Sequence, residues 1–172
     1  MYAGAARSQM PGLPMRRCLA FLSFPALILL TQCAELDPGR RFASDQVSTN
    51  TSDADTAAAL ISQYRVAQGL SPVSVDPRLT EAATVQARSV AEAGTLSHGR
   101  FTTRMSAFGI NGHVAENLSA GSRTLDRVIA RWAASPGHKA NLLLPQARRI
   151  GLARADSPGL GYGRYWALVL AE

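Results

Sequence analysis

The stretch Trp132-Ala-Ala-Ser-Pro-Gly-His-Lys-Ala-Asn-Leu-Leu143 decides how the rest of the chain is interpreted. Before it, apolar residues recur at helical spacing over 125–134, and the proline that follows cannot continue that helix. Ser135 is expected to cap a second helix, on which His138 and Asn141 lie three residues apart and therefore share one face. A polar pair between a tryptophan and a leucine run must find hydrogen-bond partners or a ligand.

Two further stretches offer such partners, Leu96-Ser-His-Gly-Arg-Phe101 and Ala115-Glu-Asn-Leu-Ser-Ala-Gly121. They contribute His98 and Glu116, each within apolar sequence, where an unpaired polar group costs about 1–3 kcal/mol. Two histidines and a carboxylate can form a zinc site with an open position. The alternative is that each histidine only ties down local backbone. A zinc-protease motif is excluded, because no His-Glu-x-x-His spacing is present.

The order of these motifs, followed by Ile150-Gly-Leu-Ala and Tyr165-Trp, resembles bacterial members of the CAP superfamily of SCP-like and pathogenesis-related-1 proteins. The resemblance runs from about Ala57 to the C-terminus. It implies an α+β fold, namely a three-layer α-β-α sandwich with a small antiparallel sheet. Family membership defines the fold better than the function, because one fold can carry many activities.

The resemblance also implies that His98, Glu116 and His138 surround one cavity. The glutamate that completes this cavity in animal and plant members is replaced here by Ser135. We therefore take His98, Glu116, His138 and Asn141 as candidate cavity or ligand-binding residues. His98 and His138 are the candidate ligands of a divalent cation such as zinc. No catalytic residue is assigned, and no base–acid arrangement beside Ser97 or Ser135 indicates a serine hydrolase.

The N-terminal segment is typical of an export signal. Arg16 and Arg17 precede an apolar run over 18–30, which is shorter than the roughly 20 residues that span a bilayer. Leu30-Thr-Gln-Cys33 resembles a bacterial lipobox, so Cys33 is a candidate for lipidation, with simple cleavage as the alternative. We expect an exported protein, either periplasmic or anchored to the membrane as a lipoprotein, otherwise secreted.

The predicted organisation is a signal peptide over 1–33, a flexible tether over 34–52 and one domain over 53–172. The tether is rich in Asp, Ser, Thr and Asn. Within the domain, helices are expected over 53–68, 77–93 and 102–108, and strands over 149–155 and 164–170. Residues 114–118 are expected to form a strand or a loop. Both cysteines precede residue 34, so the domain has no internal disulfide.

Charge and composition limit the classes of function that fit this chain. The net charge is +6, but the basic residues are scattered and lack interleaved aromatics, which argues against nucleic-acid binding. Arg104 is expected to be solvated. We predict a cell-envelope domain without enzymatic activity that binds a lipid, protein or metal ligand through the His/Glu/His cleft, with the membrane as partner through the lipid anchor. The alternatives are a metal-dependent hydrolase using the same cleft and a structural envelope lipoprotein.

Overall fold

Five helices and five strands form the part of the chain, residues 46–172, that the computed structural model describes. The strands are β1 (Ser48–Asn50), β2 (Ser74–Val75), β3 (Val114–Ala120), β4 (Arg149–Asp156) and β5 (Arg164–Ala171). The helices are α1 (Ala54–Val66), α2 (Pro77–Ala93), α3 (Phe101–Ala107), α4 (Leu125–Ala134) and α5 (Pro136–Leu142). None of these helices is long and apolar enough to cross a membrane.

The strands form one sheet in the order β1-β4-β5-β3, with β2 also paired to β4. All neighbours are antiparallel except β2, which runs parallel to β4. In the register of β3 and β5, Glu116 lies opposite Val169 and Asn117 lies opposite Leu168. Successive side chains of a strand point to opposite faces, so Glu116 and Asn117 face different helical layers.

Two apolar clusters, one on each face of the sheet, make the fold a three-layer sandwich. One face packs on α2 and α3 and includes Leu79, Val90 and Met105. The other packs on α1, α4 and α5 and includes Ile61 and Trp132. Alternate residues of β4 and β5 belong to the two clusters, as expected for strands that are buried on both faces. The predicted α+β sandwich is confirmed.

Small residues bring α2 close to the sheet. Gly151 of β4 faces the α2 backbone, and a Cβ atom built there would lie 2.0 Å from the carbonyl carbon of Leu79. Helix α2 itself is well terminated: the Asp76 carboxylate accepts from two backbone amides at its start, and Gly94 adopts a left-handed conformation after its end. The predicted bounds of α2 and α4 match the structure, whereas α1 ends at Val66, two residues early.

The tether predicted over 34–52 is wrong for its last residues. Ser48–Asn50 pairs with the end of β4, and Val47 is buried in the core. Polar residues suit this edge strand because its outer side faces solvent. Residues 34–45 and the signal peptide predicted over 1–33, including Cys33, lie outside the described residues.

Candidate functional site

Glu116 is the buried carboxylate of the site. Its side chain is 2 % exposed, and it projects from β3 toward the layer of α2 and α3. One carboxylate oxygen, Oε1, lies 2.8 Å from Nδ1 of His98. The other, Oε2, accepts a hydrogen bond from the guanidinium of Arg104. Both oxygens are therefore occupied by nitrogen donors, which compensates for the burial of the charge.

Arg104 lies on α3 and contacts side chains of both α2 and α3. Its guanidinium donates to the side-chain oxygen of Gln86, and it also lies 5.6 Å from the ring centroid of Phe101. Gln86 in turn donates to the carbonyl of Ser97, directly before His98. The prediction that Arg104 is solvated is wrong: its side chain is only 11 % exposed, because it pairs with Glu116.

On the opposite face of β3, asparagines connect the strand to α5. The amide of Asn117 donates to the carbonyl of His138 (3.0 Å). The amide of Asn141 donates to the side-chain oxygen of Asn117 (2.9 Å) and to the carbonyl of Glu116 (3.1 Å). These bonds fix the helix that carries His138 relative to the strand that carries Glu116.

The free edge of β3 is closed by side chains of α4 and α5. The Trp132 indole donates to the carbonyl of Leu118 (3.0 Å), and Arg131 donates to that of Ala120 (3.1 Å). With Asn141 on Glu116, three alternate carbonyls of the edge strand receive side-chain donors. An unpaired edge is a liability, so the Trp-x-x-Ser-Pro-Gly-His-x-x-Asn stretch has a clear structural role here.

His138 is half-buried and keeps its ring in a defined orientation. Its Nδ1 lies 2.9 Å from the hydroxyl of Ser135. Burial lowers the pKa of His138, and the nearby positive charges of His98 and Arg131 lower that pKa further. Ser135 does precede α5, but the prediction that its side chain caps the helix is wrong, because no cap hydrogen bond forms and the hydroxyl bonds to the ring instead.

The two histidines thus reach β3 from opposite layers. His98 follows α2 and is 56 % exposed, while His138 comes from α5. We call the surface between them, with Glu116 beneath it and Asn141 beside it, the histidine cleft. His113 is not part of this cleft: its Nδ1 lies 2.9 Å from Oε2 of Glu172 at the C-terminus.

The family model "CAP: Cysteine-rich secretory protein family" matches residues 58–170. The chain belongs to the CAP family. Despite that description, the matched range of this CAP domain contains no cysteine. The uncharacterized protein YkwD of Bacillus subtilis (strain 168) is 28 % identical over 127 residues, which cover 66 % of this chain and 49 % of that protein. The chain therefore spans about half the length of this curated relative.

Solved structures share the fold of the CAP domain. An outer surface protein from Borrelia burgdorferi superimposes with a TM-score of 0.64 at 22 % identity, covering 72 % of this chain and 95 % of that one. An extracellular protein containing a SCP domain from Bacillus anthracis str. Ames gives a TM-score of 0.59 at 18 % identity, covering 68 % and 39 %. At such identities the likeness demonstrates the fold alone.

A three-ligand cation site made of His98, His138 and Glu116 is not preformed in this CAP domain. A three-ligand site would need a free carboxylate oxygen, yet Glu116 is bonded to His98 and to the cationic Arg104. Across residues 46–172, no group of three or more His, Cys, Asp or Glu side chains could hold a metal ion. Binding of a cation by His98 and His138 stays a prediction.

Several residues that build the CAP domain site were missed from sequence. Gln86 was not singled out, yet its side-chain amide links α2 to the loop before His98 and to Arg104. Arg131 was not singled out, although it lies at the β3 edge near His138. Arg65 is fully buried and donates to three carbonyls at and after the end of α5 and to that of Ser71. The sequence signal that could have indicated its burial was its position on the inner side of a predicted helix.

Proposed function

We propose that this protein is exported and works in the cell envelope as a binding domain without enzymatic activity, holding a polar ligand in the histidine cleft. The observation that carries the proposal is the double pairing of Glu116. Because both oxygens of this carboxylate are occupied, it serves as a brace that orients His98 and is not free to act as a base.

The polar groups that face the cleft are suited to recognition. Each histidine uses Nδ1 for a bond within the protein, which leaves Nε2 as the ring nitrogen available to a ligand. Each ring is oriented by one hydrogen bond, to Glu116 or to Ser135, which reduces the side-chain freedom lost on binding. Export is supported by the leader over 1–33, and it fits the surface and extracellular locations named for the two structural relatives.

A hydrolase is less well supported. Among the described residues, the hydroxyl bonded to a cleft histidine is that of Ser135, but the bond is local and involves Nδ1 of His138. A serine nucleophile would need an acid behind that histidine, and within residues 46–172 His138 has no carboxylate partner. Glu116 lies on the other face of β3 and orients His98 instead.

Co-purification tests the proposal. The protein would be isolated from the envelope fraction of the exporting cells, and its small-molecule extract would be analysed by mass spectrometry. The comparison is with the double variant His98→Asn, His138→Asn and with the control His113→Asn, which alters a histidine outside the cleft. We expect a compound enriched by wild type and by the control, and lost from the double variant.

Chemical conversion would separate binding from catalysis. The extracted compound would be returned to fresh protein and followed over time. An unchanged compound supports binding, whereas turnover that depends on His98 or His138 would contradict the absence of enzymatic activity. Equal enrichment by all three proteins would contradict the assignment of the cleft as the binding site.

A further inference from the structure

We propose that the peptide bond between Asn111 and Gly112 is a site of spontaneous covalent modification, at which Asn111 becomes aspartate or isoaspartate, and that this modification weakens the pair formed by His113 and Glu172. The site lies outside the histidine cleft and does not depend on the proposed function. The sequence at the site, its exposure and the contacts beside it assign the modification to this position.

The modification needs water as its co-reactant and no cofactor. The backbone nitrogen of Gly112 gives up its proton and attacks Cγ of Asn111, and the side-chain nitrogen of Asn111 leaves as ammonia after taking up a proton. The product is a five-membered succinimide ring. Water then opens the ring. Cleavage of the new bond to Cγ leaves aspartate, whereas cleavage of the original peptide bond leaves isoaspartate, whose main chain runs through Cβ and Cγ.

Asn111 is set apart from the other asparagines of the chain. There are four of these residues, Asn50, Asn111, Asn117 and Asn141, and Asn111 alone is followed by glycine. A glycine favours the attack because it has no side chain to crowd the nitrogen and its backbone rotates freely. Asn117 and Asn141 lie in β3 and α5 and are hydrogen-bonded to each other. Asn50 pairs in β1, and its side-chain oxygen accepts two hydrogen bonds from Ser52.

The reacting groups of Asn111 and Gly112 are accessible. Both residues are exposed and lie between α3 and β3, outside any helix or strand. The side-chain nitrogen of Asn111 makes one long hydrogen bond, to the carbonyl of Gly109 (3.4 Å). Within residues 46–172, no hydrogen bond holds the backbone amide of Gly112, whose φ is +81°. Neither the attacking nitrogen nor the leaving nitrogen is therefore held back by regular backbone structure.

The modification falls beside a tertiary contact. A Cβ atom built on Gly112 would collide with Oε1 of Glu172, so this carboxylate lies directly against the glycine. The second oxygen of Glu172, Oε2, lies 2.9 Å from Nδ1 of His113. Isoaspartate lengthens the main chain before Gly112 by a methylene group, and both products add a negative charge close to Glu172. Both changes disfavour the pair of His113 and Glu172.

Peptide mapping tests the site. The purified protein would be kept at mildly alkaline pH, sampled over time, digested with trypsin under identical conditions and analysed by mass spectrometry. The tryptic peptide over 105–123 contains Asn111 and Asn117, so fragment ions compare the two residues in one molecule. We expect progressive loss of the Asn111 amide with the appearance of both acidic products, while the Asn117 amide is retained. Asn111→Gln is the matched control and should keep its amide, because its longer side chain disfavours the five-membered ring.

Nuclear magnetic resonance of the histidine ring protons in the same samples tests the effect on the pair. A second His113 signal should grow in proportion to the acidic products. The signals of His98 and His138, which lie in the cleft, should stay single. In Asn111→Gln, the His113 signal should also stay single over the whole incubation.

Three results would overturn the proposal. An acidic fraction at Asn111 that does not grow with incubation time would show that it forms only during digestion. Conversion of Asn50 or Asn117 at the rate of Asn111 would show that the site has no special reactivity. A single, unchanged His113 signal in converted protein would show that the modification leaves the pair with Glu172 intact.

Discussion

Replacing Arg65 by methionine should destabilise the domain strongly. Its guanidinium is fully buried and donates to the carbonyls of Ser71 (2.9 Å), Leu142 (2.7 Å), Leu144 (3.0 Å) and Ala147 (3.0 Å). Methionine keeps much of the apolar stem but removes every donor. The size of the effect depends on which carbonyls keep another partner.

Two of the four do. The Leu144 carbonyl also accepts from the Ala147 amide, and the Ala147 carbonyl also accepts from the exposed Arg148. The carbonyls of Ser71 and Leu142 lose their donor. An unsatisfied buried acceptor costs about 1–3 kcal/mol; the Leu142 carbonyl is buried and that of Ser71 partly buried, so Arg65→Met should lower the free energy of unfolding by roughly 1–6 kcal/mol.

Urea denaturation, followed by the fluorescence of the two buried tryptophans, measures this free energy. Arg148→Met is the matched control, because Arg148 is exposed and the Ala147 carbonyl that it contacts would still accept from Arg65. We expect Arg148→Met to lower the free energy of unfolding by about 0.5 kcal/mol or less. A loss below about 1 kcal/mol for Arg65→Met would show that the carbonyls find other donors and would refute the reasoning.

Three further changes test other parts of the account. Gly151→Ala would place Cβ 2.0 Å from the α2 backbone, so it should lower the free energy of unfolding in urea by about 1–3 kcal/mol or more. The control Gly137→Ala, whose Cβ would meet no atom within 4 Å, should be nearly neutral. Equal effects of the two substitutions would contradict the close approach of α2 to the sheet. The lowered pKa of His138 means that its contribution to stability is complete above the unfolded value near 6.5 and is lost as pH falls from there through the folded value. His138→Asn should therefore lose less stability than wild type between about pH 7 and 5, and parallel profiles would count against the buried neutral ring. A metabolic lipid label should appear on wild type and vanish in Cys33→Ala; labelling that persists would exclude Cys33 as the lipidation site.

The helices were predictable because their end signals are local. Pro77 at the start of α2 and Gly94 after its end can be recognised without any knowledge of the tertiary fold. Strand β1 was not predictable, because three polar residues carry no alternating pattern and its pairing partner lies about a hundred residues away in β4.

The site was predictable only in part, because some of its contacts join residues that are brought together only by the tertiary fold. His98 and Glu116 could be named as polar residues that need partners, and the structure pairs them. The role of Arg104 could not be recognised, because its contact with Glu116 exists only once α3 packs beside β3. Local sequence shows an arginine after a phenylalanine, which is ordinarily a solvated residue.

Calorimetric titration with zinc tests most directly whether Glu116 is a brace or a metal ligand. The proteins are wild type, His98→Ala, His138→Ala and the control His113→Ala. If Glu116 is committed to Arg104 and His98, zinc binding should be weak and should differ little among the four proteins. Tight zinc binding by wild type and by His113→Ala, lost in both cleft variants, would contradict the brace and establish a metal site in the cleft.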